Sequence, residues 1–188
     1  MMGALQLGTA LLVNPLSALL LAGLFIVVML RLSFRQREKA SVRRHRRYQA
    51  TAARVLEKLG TLPGDGQRMR YLRKINPYVF EELLLIAFER RGYPIKRNRR
   101  YSGDGGLDGQ VWIDGQRYLI QAKRYARTIT STHVAAFGEL VRRERCRGLF
   151  IHTGRTGLAS RSELARIPEI ELLSGQQLLN LLKKDISL

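Results

Sequence analysis

The carboxylate of Asp108, the carboxamide of Gln121 and the ammonium of Lys123 are the side chains of this sequence with the most pointed chemistry. Asp114-Gly115 lies midway between the first two and is a two-residue sequence of the kind that closes a β-hairpin. With that turn Asp108 stands directly opposite Gln121, and Lys123 is its diagonal neighbour, within reach of a long side chain. Alternation places Asp108, Gln110, Trp112, Arg117, Leu119, Gln121 and Lys123 on one face. Leu107, Val111, Ile113, Tyr118, Ile120 and Ala122 fall on the other, which reads as the core. A carboxylate, an amide oxygen and the backbone carbonyl of Ala122 are hard donors of the sort that Mg²⁺ or another divalent cation takes. Such an ion polarises a phosphoryl oxygen and lowers the pKa of an attacking water. Asp108 would be the anionic ligand, Gln121 a neutral one, and Lys123 would stabilise charge on the phosphate or orient the water. The hairpin alone equally suits a solvated face with ordinary cross-strand polar pairs.

These side chains need elements to hold them. Asn76-Pro77 reads as a helix start, with Asn at the cap and Pro at the first position, and Gly92 ends the helix. Phe80, Leu83, Leu84, Ala87 and Phe88 form its apolar stripe, which Glu81 borders. A short strand is expected at Tyr93–Lys96, and SGDGGLDG at Ser102–Gly109 is a loop that leads into the hairpin. Downstream, the pattern predicts helices at Ser131–Glu144, Ala159–Arg166 and Gln176–Lys183, and strands at Gly148–His152 and Glu169–Leu173. Helices and strands alternate, so the class is α/β with a mixed central sheet flanked by helices.

Phe80-Glu81, then Gly106-Leu107-Asp108-Gly109, then Gln121-Ala122-Lys123, in this order, resemble the Mrr-type variant of the PD-(D/E)xK nucleases. The resemblance covers about 110 residues, placing a nuclease domain at residues 75–188. It implies a restriction-endonuclease-like core that hydrolyses DNA with a divalent ion, and it adds Glu81 to Asp108 and Gln121 as a metal-site residue. Without it, Glu81 is simply a favourable charge near a helix N-terminus. Gln121 stands where many members of the wider superfamily carry an acid, which removes one negative charge.

The basic residues Lys96, Arg97, Arg99, Arg100, Arg124 and Arg127 flank these motifs and suit DNA phosphate, supplying affinity rather than base specificity. Cutting both strands with one site per chain would favour a homodimer. Other patterns fail: a calcium loop starting at Asp104 would need an acid at Gly115, and GDGG lacks the dinucleotide glycine spacing. His152, at the end of a buried strand, is either near the site or a satisfied core histidine. The sequence by itself names no partner for His45 or His133.

Residues 1–30 contain no Asp, Glu, Lys, Arg or His, so the whole net charge of +18 lies beyond them. Residues 31–75 hold 14 Lys/Arg against 3 Asp/Glu, and residues 76–188 hold 19 against 12. From Ala10 to Leu30 the run is long enough to cross a hydrocarbon core of roughly 30 Å as one transmembrane helix. No basic segment precedes it, which argues against a cleaved signal peptide. Arg31, Arg35, Arg37, Lys39, Arg43, Arg44, Arg46 and Arg47 follow it and place that end in the cytoplasm. The expectation is a single pass through the inner membrane, a basic and partly helical tether over residues 31–74, and a cytoplasmic nuclease domain. The tether suits anionic lipid, DNA phosphate or neither. Cys146 is the sole cysteine, so no intrachain disulfide or cysteine zinc cluster can form. A reading of another class also accounts for the charge: a non-catalytic, membrane-tethered DNA-binding protein.

Overall fold

The computed structural model describes residues 15–98 and 107–183, apart from the side chains of residues 36–39. Helix α1 spans Pro15–Thr61 and contains a segment long and apolar enough to cross a membrane. The chain divides into two compact units between His45 and Arg46. In the first unit, Leu16, Leu20, Leu24, Phe25 and Ile26 on the helix are all more than half exposed. Residues 10–14 of the expected span lie outside the described residues.

The second unit begins earlier than the expected boundary near residue 75. Ala52, Val55, Leu56 and Leu59, on the last turns of α1, are 0–7% exposed and share one core with Leu72 and the helices that follow. This stretch is therefore part of the folded body rather than a tether. Helix α2, Asp65–Leu72, has no counterpart among the expected elements. Only Leu72 of it is buried, so it carries no apolar stripe to read. Helix α3, Pro77–Arg90, starts as expected: Asn76 Oδ1 accepts the Tyr78 N–H at 2.9 Å, and Pro77 loses no helical hydrogen bond.

Five strands follow: β1 (Ile95–Lys96), β2 (Gly109–Ile113), β3 (Gln116–Lys123), β4 (Arg147–His152) and β5 (Ile170–Leu173). They pair in sequence order, antiparallel from β1 to β3 and parallel from β3 to β5. Asp114 and Gly115 both have positive φ, 50° and 77°, as the twist of a two-residue hairpin turn requires. The remaining helices are α4 (Ser131–Arg143), α5 (Leu158–Ala165) and α6 (Gly175–Leu182).

The sheet is buried on both faces. Val111, Tyr118, Ile120, Ala122, Leu149 and Ile151 pack with α3, α6 and the end of α1. Leu119, Phe150 and Ile170 pack on the other side with Val134, Phe137 and Val141 of α4. The face expected to be polar is thus a second core, because α4 bridges the parallel strands β3 and β4 and must cover the sheet it crosses.

A chain starting at Arg46 should unfold in one cooperative thermal transition. One starting at Gly60 loses buried side chains worth about 1.5–3 kcal/mol each, against a total stability of about 5–15 kcal/mol. It should show no such transition by circular dichroism.

Candidate active site

The hairpin ladder has the expected register from Ile113↔Gln116 to Gly109↔Ile120. It departs at Asp108, whose N–H donates to Ile120 O at 2.8 Å. Its carboxylate reaches on to β3, where Oδ2 accepts the Ala122 N–H at 2.7 Å. Asp108 is therefore fixed by its own backbone and by its side chain at the end of β3, rather than simply facing Gln121. Lys123 closes β3 and pairs in register with His152 of β4.

Helix α3 supplies the third group. A Cβ on Gly109 would lie 2.7 Å from Leu85 Cδ2, so the missing side chain leaves the room that Leu85 of α3 fills beside the start of β2. Leu85 is one helical turn beyond Glu81, and Gly109 follows Asp108. This close approach brings Glu81 towards Asp108. The field at Glu81 reflects it: burial first, then the negative charge of Asp108, push its carboxyl up to about 8, while the Lys123 ammonium pulls it down. Glu81, Asp108 and Lys123 therefore share one neighbourhood at the ends of β2 and β3.

Gln121 is 5% exposed and is flanked in register by Phe150 on β4. Alternation along β3 puts it with Leu119 on the α4 side of the sheet. Glu82 turns away from the site: it is 1% exposed and paired with Arg97 Nε at 3.1 Å, and Arg97 Nη2 also reaches Glu89 at 2.8 Å. Arg97 thus ties the end of β1 to α3. His152 is fully buried, bonded through Nε2 to Thr156 Oγ1 at 3.2 Å, and burial holds it down at about 4, so it is neutral near pH 7.

Lys96 and Arg127 are exposed. Arg124 donates to Arg73 O, and Arg73 Nε donates to Thr153 O at 2.8 Å, so both arginines gather where β3 and β4 end. Arg73 was not among the expected residues. It lies before the Asn76 cap, and only the fold brings it near Lys123. Arg99, Arg100 and Asp104 fall outside the described residues. Asn98 Nδ2 donates to Leu107 O and joins the two ends of that stretch.

Among the described residues no three His, Cys, Asp or Glu side chains group as a metal cluster. Glu81 and Asp108, with the amide oxygen of Gln121, are all hard oxygen donors. A carboxyl raised by burial and by a neighbouring carboxylate, as Glu81 is by Asp108, belongs to the kind of donor set that a divalent cation relieves.

A family model described as restriction endonuclease, the Mrr catalytic domain, matches residues 72–182. Among solved structures, the MspJI restriction endonuclease in complex with a 27-mer oligonucleotide is similar, with 21% identity and a TM-score of 0.48. The match covers 66% of this chain and 33% of that one, so this chain spans about a third of that protein's length. No curated protein matches.

The raised Glu81 value has a thermodynamic consequence in metal-free protein. A carboxyl whose pKa is higher folded than unfolded stabilises the fold fully below the unfolded value, near 4.5, and that contribution is lost as pH rises through about 8. Urea unfolding between pH 4.5 and 8.5 should show stability declining across this window, and Glu81→Gln should flatten the decline.

Proposed function

We propose, since the chain belongs to the restriction endonuclease family of the Mrr catalytic domain, that it is a divalent-metal-dependent DNA endonuclease anchored by one transmembrane helix, with its nuclease domain in the cytoplasm. The observation that carries this reading is the Asp108 carboxylate held on β3 one residue before Lys123, with Leu85, one helical turn from Glu81, packed against Gly109. Asp108 and Glu81 would hold the cation, with Gln121 as a neutral donor. When bound, the cation supplies Lewis-acid polarisation of the phosphoryl oxygen and lowers the pKa of the attacking water.

The protein's own contribution is positioning and charge. The Ala122 N–H holds the Asp108 carboxylate at a set angle, so its alignment costs no reorganisation during reaction. Lys123 donates to the phosphate oxygen on which negative charge grows. Arg73, Arg124, Arg127 and Lys96 neutralise neighbouring phosphates and hold the strand in register. With an amide at position 121 the site carries less negative charge than one built from three acids, so it repels DNA less.

The membrane part of the proposal rests on α1. Its uncharged N-terminal part and exposed apolar side chains suit a lipid phase, and the arginines from Arg31 onward suit the cytoplasmic side. A homodimer would place two sites for cleavage of both strands.

Full-length protein in detergent micelles should nick supercoiled plasmid with Mg²⁺ and not with EDTA. Asp108→Ala and Lys123→Ala should each reduce the rate by roughly 10²-fold or more. Equal cleavage by parent and variants would remove the assignment, and salt-sensitive binding without turnover, indifferent to Asp108→Ala, would favour the non-catalytic tether. In fractionated cells the chain should stay with membranes through alkaline carbonate extraction, and deletion of residues 1–30 should release it.

A further inference from the structure

Two residues beyond Lys123 lies a pair of rings that the cleavage chemistry does not use. Tyr125 and His133 have ring planes 11° apart and centroids 6.1 Å apart. The Tyr125 hydroxyl and His133 Nδ1 are 2.5 Å from each other. Rings in face-to-face contact are separated by about 3.5 Å, too far for that hydrogen bond. The step between the planes is therefore smaller than the bond, and the phenol and imidazole lie edge to edge as one nearly flat surface.

This surface is held in place from several directions. Thr130 Oγ1 sits 2.9 Å from the same imidazole nitrogen. Thr153 Oγ1 donates to Tyr125 O at 2.8 Å. Beyond the ends of β3 and β4 the two segments keep pairing: Thr153 N–H donates to Lys123 O at 3.2 Å, Arg155 N–H to Arg127 O at 3.1 Å, and Ile129 N–H to Arg155 O at 3.0 Å. Gly154 makes the pairing possible, since a Cβ there would lie 2.2 Å from Arg127 O and 2.9 Å from Tyr125 Cβ. Tyr125 thus rides on a paired extension of the sheet, and His133 meets it from the first turn of α4.

His133 is exposed and Tyr125 half-buried, and exposed Arg127 and Arg155 lie on the same paired segments. Aromatic rings interleaved with cations form the usual surface for unpaired nucleic acid: the cations follow the backbone and the rings take the bases. Two residues of backbone span at most ~7 Å, about two base steps of a stacked strand. A base next to the phosphate at Lys123 is therefore within reach. In an intact duplex both faces of that base are covered by its neighbours, so only a base out of the stack can use the platform.

We propose that Tyr125 and His133 form a stacking platform for an unstacked nucleobase of the DNA substrate, beside the phosphate held at Lys123. The chain then prefers DNA that is single-stranded or locally unpaired near the point of cleavage. This rests on the nuclease reading for the position of the phosphate, but the stacking can be measured without turnover.

The test uses the full-length chain in detergent, without divalent metal, and a 12-nucleotide single strand carrying a central 2-aminopurine, compared with its duplex. Binding should quench the fluorescence of the single strand and leave the duplex little changed. Tyr125→Ala and His133→Ala should abolish the quenching and weaken single-strand affinity roughly 5- to 150-fold. Tyr125→Phe, which keeps the ring, should retain most of the quenching, and its thermal transition serves as the folding control. Quenching and affinity unchanged in both alanine variants, or equal quenching of single strand and duplex by the parent, would overturn the platform. Plasmid cleavage by the parent, assayed separately with Mg²⁺, reports on the nuclease reading alone.

Discussion

The Ala122 N–H meets the Asp108 carboxylate at 2.7 Å, just where the β2–β3 ladder has stopped. A side chain here takes a donor that would otherwise go to another strand, and in doing so it sets the direction of the acid. The arrangement depends on Gly109, where α3 presses Leu85 into the space of a missing Cβ. Adding a methyl group there would force the Leu85 side chain aside, and an overfilled core of this kind costs about 1–3 kcal/mol. Glu81 and Asp108 come from elements far apart in sequence, and this contact sets their separation.

Placing two acids together in a half-buried corner is unfavourable without a counter-charge. Burial and Asp108 both raise Glu81, and Lys123 offsets them only in part. The fold tolerates the cost because the surrounding layers are well filled, with cores on both faces of the sheet. Glu82, one residue along, shows the other way of burying an acid: it is paired with Arg97 and tied to the edge strand. Neighbouring glutamates on one helix thus stand in opposite electrostatic settings.

Much of this could be read from local signals. The Asn76-Pro77 cap, the Asp114-Gly115 turn and the alternation of helix and strand after residue 130 each report local backbone preferences, and each corresponds to an observed element. What could not be read depended on partners distant in sequence. The burial of Leu119 and Gln121 is set by α4, the inclusion of residues 46–61 in the core by their contact partners, and the shift at Asp108 by the approach of Leu85. Arg73 and the Tyr125–His133 pair were hidden for the same reason, since neither lies in a motif. Arg97 appeared to be one of several basic residues suited to phosphate, yet its two carboxylate partners are 15 and 8 residues away.

The Asn98 carboxamide bound to Leu107 O ties the chain just after β1 to the residue before Asp108. Together with the Asp108 N–H bond to Ile120 O and the Ala122 N–H bond to the Asp108 carboxylate, this contact anchors the acid from both sides. The acid therefore keeps its place through main-chain partners and one carboxamide outside the hairpin, so the geometry of the site draws on a residue that carries no charge.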